Sequence, residues 1–444
     1  MELDENTRTL AELVLGTDAG SRPDLVEAVR RAFADYAAAF FAGEKEGKVQ
    51  RLAGFLGTRP GSRQMIGFPY RVPPENAALL YGFASHYLDF DDAQADVMGH
   101  LSTVLFSVLL AAVKPGDRAE DFISAYLAGA ETAGILGRLV NPAHKRQGYH
   151  PTATLGHLGA AAALARLRKL TLEEAARLLS LTATQAAGLE MEAGTDTKPL
   201  HPGFAARNAL FSWELLRKTG LTSSTRPLNP VNGWVKTVTG KDLVPSDFTK
   251  HWLAPGEMID PGLWMKAHPF CSAAISGAAG CEKLYDEGFR MENLAEVVFH
   301  FMPGADVSLH YIHPGTGQEG RFSMEYVGWQ IFRFGEVRDS LFLLDQVPEE
   351  FEEALPLMRR VNDLPREGQA VRHIAVTVKD QEGRTGKADV RDPAGSPERP
   401  FMEEELQGKL SAAAGNEAAA RILQGLKRWP DGTGAEILAL FSGL

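Results

Sequence analysis

The sequence predicts a mainly α-helical protein that carries a smaller α+β domain, and three features lead to that class. Across residues 10–221 apolar side chains recur at helical spacing, while strand-like alternation is scarce. After Pro261 the texture changes, with β-branched, alternating runs at 294–301 and 371–379. Helical periodicity then returns at 402–426. A chain of 444 residues exceeds the size one core usually serves. The expected organisation is a helical domain over 1–260, completed by 404–444, with a lid-like α+β domain over 261–403.

Each element has its own local reason. Residues 25–41 and 170–187 are long amphipathic runs, and the second opens on Thr171-Leu172-Glu173-Glu174, the spacing of a capping box. Residues 104–113 form the longest plainly apolar stretch, interrupted by Ser107, too short to span a bilayer and therefore a buried helix. Pro151 stands where a first-turn proline belongs, ahead of an Ala-rich helix over 159–167. Leu210, Phe211, Trp213, Leu215 and Leu216 give a helix over 204–218 one apolar face. Residues 221–240, rich in Ser, Pro, Asn and Gly, read as a loop that covers a site. Beyond 261, residues 272–287, 322–334 and 349–360 read as helices. Residues 371–379 pair with 383–390 through the turn at Asp380-Gln381-Glu382-Gly383. Gly415 breaks the last Ala-rich helix, and 435–440 closes the chain.

A net charge of −11 and no basic stripe exclude a nucleic-acid binder, because nothing is present to displace phosphate counterions. Two cysteines, Cys271 and Cys281, make neither a disulfide framework nor a structural zinc site. The acidic start at Met1-Glu2-Leu3-Asp4-Glu5 is unlike a targeting peptide, so the expectation is a cytoplasmic protein with no membrane partner. The string Gly315-Thr316-Gly317-Gln318-Glu319-Gly320 matches a dinucleotide fingerprint literally, but Pro314 precedes it and no βαβ unit frames it, so it reads as a turn.

Three segments carry chemistry. Gly194-Thr195-Asp196-Thr197-Lys198-Pro199-Leu200-His201-Pro202-Gly203 places a Lys, a His and an Asp in a Gly/Pro-punctuated loop at a helix mouth, where anions are favoured. Gly148-Tyr149-His150-Pro151 puts His150 at the positive end of a helix dipole, which disfavours the imidazolium and suits a neutral base. His157 follows two turns later on the same helix. His86-Tyr87-Leu88-Asp89-Phe90-Asp91-Asp92, followed by Gly99-His100, crowds three carboxylates that need cations nearby or water. Bland alternatives stand beside these readings: a surface Lys198, a merely capping His150, a buried and satisfied His100, a helix-end Asp89.

In this order the segments resemble the MmgE/PrpD family, and the likeness spans most of the chain. Weaker echoes are Lys266-Ala267-His268-Pro269-Phe270-Cys271 and Arg321-Phe322-Ser323-Met324-Glu325-Tyr326. The resemblance implies an MmgE/PrpD-like two-domain architecture and a homodimer, with residues 104–113 as a candidate interface. It implies a substrate bearing several carboxylates, handled by Asp89, His100, His150, Lys198, Lys266 and Tyr326. The sequence departs from the family pattern at Ala93, Leu101, His157, the Ala267-His268 pair and Glu325.

The chemistry follows from the acidity of the substrate. A carbon beside a carboxylate is a poor acid, so its deprotonation needs a positioned base and cations that stabilise the developing charge. The expected activity is a lyase, dehydratase or decarboxylase, acting on a small di- or tricarboxylate. His150, His100, Lys198 and Tyr326 are its catalytic candidates, and Asp89, Lys266, His201, His157 and His268 bind substrate. No cofactor is expected, and no metal, although Asp91 and Asp92 are the place for one. The alternatives are an epimerase of a dicarboxylate such as iminodisuccinate and a non-catalytic polycarboxylate-binding protein.

Overall fold

The computed structural model describes residues 2–368 and 372–441. Met1, the Val371 that heads an expected strand, and the last three residues of the 404–444 segment lie outside the described residues. The fold is mainly helical with a smaller α+β part. Two compact units divide it: residues 1–191, 199–263 and 402–444 form the first, and 192–198 with 264–401 the second.

The first unit is built on helices α1 (Pro23–Glu44), α2 (Pro74–His86), α3 (Ser102–Ala112), α4 (Ala119–Val140), α5 (Pro151–Leu167), α6 (Thr197–Thr219, whose first two residues fall in the second unit) and α7 (Glu403–Ala414). Helices α4 and α5 pack closely because small residues line both. A Cβ on Gly129 would stand 2.8 Å from the Gly159 carbonyl oxygen, so these positions admit glycine and little else. The core beside them is aromatic: Phe33 meets Phe106 edge-on at 4.9 Å and Trp429 at 4.7 Å, and Phe106 stacks on Tyr126 at 4.2 Å. The capping box of Thr171 and Glu174 forms with both reciprocal bonds.

Every residue of α3 is buried inside this unit, with exposures of 9% or less where they are apolar. Residues 104–113 are thus core, and the dimer interface expected there is corrected: a helix enclosed by its own chain has no face to offer another. Helix α6 begins at Thr197, not at 204, so Lys198, Pro199 and His201 are helical. Pro199 costs nothing in a first turn whose amides have no intrahelical acceptors, and Pro202 forgoes one bond. The 221–240 segment contains a short helix, Trp234–Thr239.

The second unit holds a four-stranded sheet in the order β2-β1-β3-β4, with β1 Leu294–Phe301, β2 Met358–Val361, β3 Ile374–Asp380 and β4 Thr385–Val390. β1 pairs in parallel with β2 (Val297 opposite Met358) and antiparallel with β3 (Phe299 opposite Val376), and β3 and β4 form the expected hairpin. Helix Ile275–Asp286 packs on β3 and β4, and Met324–Phe334 packs on that helix. The helix expected over 349–360 stops at Ala354. Pro356 has no amide to continue the ladder, and the chain turns through Leu355–Leu357 into β2, where β1 supplies partners. Thr316 caps a single helical turn, Gly317–Gly320, at the dinucleotide-like string. No helix among the described residues is long and apolar enough to cross a membrane, and both cysteines are buried thiols.

Candidate active site

In the first unit α2 delivers His86 at its last position, fully inside the fold. The chain then turns sharply, with Asp89 at φ 54°, a left-handed conformation uncommon for a residue with a Cβ. That turn brings Asp91 back to its helix, where the His86 Nδ1–H donates to both Asp91 carboxylate oxygens at 2.8 and 3.0 Å. His100 enters from the other side. Its Nδ1–H donates to the Asp92 main-chain oxygen at 2.6 Å and lies 3.3 Å from Asp91 Oδ2.

These bonds fix the tautomers. With Nδ1 carrying the proton in both neutral rings, the free lone pair of each is on Nε2. Both Nε2 atoms face Asp89 Oδ1, at 4.0 Å from His86 and 3.7 Å from His100. One carboxylate oxygen is thus shared between the bare nitrogens of two rings. Burial alone would raise the Asp91 carboxyl, but the charges and hydrogen bonds of His86 and His100 hold it well below the usual carboxylate range. Asp92 behaves oppositely: burial, then the nearby Asp35 charge, push it up to about 8.

A second histidine pair adjoins the first. His150 is the N-cap of α5, and its Nδ1 lies 2.9 Å from His201 Nδ1 in the first turns of α6. One ring must donate and the other accept, so the pair cannot hold protons on both Nδ1 atoms without breaking this bond. The His150 ring stacks 6.2 Å from that of His86. Gly188 makes the arrangement possible: its carbonyl accepts the His150 amide at 3.0 Å, it sits at φ 137°, and a Cβ there would come within 2.5 Å of Ala153. His157 is one layer back. Its Nδ1–H donates to the Ala153 carbonyl at 2.7 Å, its Nε2 accepts from Asn208 at 3.1 Å, and burial lowers its pKa to about 4. Both ring nitrogens are thus hydrogen-bonded, and the ring ties α5 to α6.

The loop bearing His100 is held from behind. Gln94 bridges to Gly99 along the main chain, its Oε1 accepts the Val97 amide at 2.7 Å, and its Nε2 donates to Glu257 Oε2 at 2.7 Å. Glu257 also accepts from Arg138 at 2.8 Å, and its own amide donates to Glu131 Oε1 at 2.6 Å. Burial raises Glu257 to about 9 and Glu131 to about 7. A raised folded-state pKa means that the fold binds an extra proton above the unfolded value near 4.3. The associated stability is full below that value and is lost as pH rises through about 9 for Glu257. Glu257→Gln, which keeps a neutral group there at every pH, is thus expected to gain thermal midpoint relative to the native protein as pH rises from 6 to 9. Parallel melting curves across that range would refute the assignment.

In the second unit Lys198 is buried to 7% exposure, with its Nζ over the Phe322 ring at 5.1 Å. Its loop is tied down by Tyr311, whose hydroxyl donates to the Ala193 carbonyl at 3.0 Å and whose amide donates to Phe322 O at 3.2 Å. Glu325, an outlier against the family pattern, has a structural reason. It pairs with Arg360 (Nε to Oε1, 2.6 Å), and Arg360 in turn donates to the carbonyls of Leu309 and Tyr311 at 2.6 and 3.0 Å. The pair fastens the segment of chain that carries Tyr311.

Lys266 is buried at 1% exposure, next to a Met265 amide bonded to Gly395. His268 is partly exposed and pairs with Asp339 at 2.9 Å, on the outside of its unit. Tyr326 lies in an aromatic core with Trp329, Phe342 and Phe351, and its hydroxyl donates to the Leu341 carbonyl at 3.1 Å. Burial raises its pKa further above the phenol range. A hydroxyl so enclosed and already committed is poorly placed to donate to a substrate.

His86, Asp89, Asp91 and His100 each present a ligand atom within 4.8 Å of the others, the spacing of a metal site. Their donor set suits zinc or another divalent ion, yet the His86–Asp91 contact is a made hydrogen bond, which a metal would have to replace. Asp89 and His100 are candidates on the sequence alone, whereas His86 gains a role only from its contacts with Asp91 and Asp89. The available signal was its place at a helix end, five residues before Asp91.

The geometry gathers His86, Asp89, Asp91 and His100, with the His150–His201 pair beside them, into a buried histidine–carboxylate cluster in a helical unit. The MmgE/PrpD N-terminal domain family matches residues 8–246, and the chain belongs to that family. It is 26% identical over 367 residues to a cis-aconitate decarboxylase of Mus musculus, an alignment covering 78% of this chain and 72% of that protein. The Homo sapiens cis-aconitate decarboxylase is 25% identical over 363 residues, 78% and 73% of the two chains. A cis-aconitate decarboxylase-like protein of Aspergillus oryzae is 30% identical over 168 residues, 35% of each.

Proposed function

We propose that this protein is a lyase that needs no added cofactor and acts on a small di- or tricarboxylate, with decarboxylation of an unsaturated tricarboxylate the best-supported reaction. The observation that carries this reading is the convergence of His86 and His100 on Asp89 beside the His150–His201 pair. The names of the relatives favour loss of carbon dioxide over loss of water. In such a step the bond to the departing carboxylate breaks and its electron pair spreads into the adjoining alkene and carboxylate. A protonated imidazole then delivers the proton to carbon. His150 or His100 serves in that transfer, Asp89 keeps the proton available, and Lys198 and Lys266 take the roles of carboxylate-binding cations. A cytoplasmic homodimer is the state proposed for the working enzyme.

The test is incubation with cis-aconitate, citrate, 2-methylcitrate and iminodisuccinate in deuterated water, followed by NMR before and after dialysis against a chelator. A decarboxylated alkene with bicarbonate is expected, deuterated at one carbon, at a rate the chelator leaves unchanged. Net hydration or dehydration would make the protein a dehydratase, and deuterium exchange without net reaction an epimerase. Binding without exchange would leave a carboxylate-binding protein. A rate lost to the chelator and restored by a divalent ion would turn His86, Asp89, Asp91 and His100 into metal ligands.

A further inference from the structure

We propose that Lys409, on helix α7, is a positioning residue that holds the Asp89–Asp91 turn in its working shape; the inference rests on the proton-transfer reading of that turn. Lys409 is 7% exposed, and its side chain reaches from α7 to a loop 319 positions earlier. Its Nζ donates to the Phe90 main-chain oxygen at 2.8 Å and to Asp35 Oδ1 at 2.5 Å, and sits 4.0 Å from the centre of the Phe90 ring. Phe90 lies between the two carboxylates that organise His86 and His100. The ammonium therefore grips the turn at its middle peptide.

Stability alone does not account for this lysine. Burying an ammonium is costly, and a buried ion pair can often be exchanged for apolar side chains of similar volume with no loss of stability. What an apolar residue cannot do is hold a specific carbonyl. Asp89 occupies a left-handed conformation uncommon for a side-chain-bearing residue, and such a conformation persists only where neighbours enforce it. The Asp89 amide bond to His86 O at 3.0 Å fixes one end of the turn, and Lys409 fixes the other. The charge around it is also matched to one cation: Asp35 on α1 accepts it directly, while Asp92, next along the chain, has Oδ1 near the Ser102 amide at 3.4 Å and finds no donor for Oδ2 among the described residues. With the cation removed, Asp35 would be buried without its counter-charge and the turn would lose its anchor.

The experiment separates positioning from charge balance. Lys409→Met leaves Asp35 buried without its cation, so it is paired with the double variant Lys409→Met/Asp35→Asn, in which that penalty is absent. If Lys409 positions the turn, the double variant recovers the thermal midpoint, but its kcat stays down by about a hundredfold while KM moves little. Hydrogen exchange at the amides of residues 89–92 rises by about tenfold in both variants, and exchange in α4 is unchanged. A double variant with native kcat and native exchange at 89–92 would show that Lys409 only neutralises Asp35, and the proposal falls. If the native protein turns over no carboxylate, the functional reading fails by itself, and the exchange at 89–92 still decides whether Lys409 holds the turn.

Discussion

Lys198→Ala is expected to abolish turnover while leaving the protein folded. The side chain is a buried cation at the start of α6, where the helix end already favours anions. Losing a charge that balances a substrate carboxylate and the negative charge of the transition state should cost on the order of 2–4 kcal/mol, by analogy with a lost oxyanion donor. That is a fall in kcat/KM of about a hundredfold to a thousandfold. The stability cost is expected to be smaller, because truncation removes the buried ammonium together with its contacts, the Phe322 ring among them, and with it the cost of keeping that charge out of water. The comparison to make is kcat/KM beside the melting midpoint. Activity within a few fold of native would make Lys198 a bystander, and an equal loss in Lys198→Arg would show that geometry matters as well as charge.

His150→Gln carries the second large effect, read as a function of pH. In the neutral pair one Nδ1–H is shared between His150 and His201, and whichever ring donates it keeps a bare Nε2 that can take up the proton for delivery to carbon. The proposed decarboxylation needs that imidazolium as its acid, so activity should be present where the acid is protonated and fall as pH rises through its pKa. The alkaline limb of kcat/KM tests this. In His150→Gln the rate should drop by about two orders of magnitude or more, and the limb should flatten or move if His150 is the acid. An unchanged limb at reduced rate would assign the acid to His100, whose Nε2 faces Asp89. His157 is the internal control: its ring is already neutral and bonded on both sides, so His157→Gln should lower stability more than it alters the profile.

How far the sequence could be read depends on the range of the forces involved. The capping box at Thr171, the hairpin at 380–383, the strand over 294–301 and the break at Gly415 are settled within a few residues of chain, and each is found where local chemistry puts it. The start of α6 at Thr197 escapes a local reading for a related reason: prolines that signal a loop by composition are harmless in a first helical turn, and position within the helix is not written in composition. The residues 349–360 show the limit of periodicity. Their pattern fits a helix, but β1 offers Met358–Val361 a ladder of main-chain partners that a local pattern cannot register.

By itself the sequence determined the mainly helical class, the α+β segment within it, the anionic character of the chain, and the three motif segments that carry Asp89, His100, His150 and Lys198. Only the tertiary structure decided what those residues meet. It paired His150 with His201 across 51 positions, turned both His86 and His100 toward Asp89, and sent Lys409 to the Phe90 carbonyl. It also enclosed Tyr326 in an aromatic core and gave Glu325 to Arg360. The physical reason is the same in each case. Periodicity reports which face of an element is buried, whereas a buried polar or charged group must find a specific partner, and that partner is supplied by whichever distant segment the packing brings within about 3 Å.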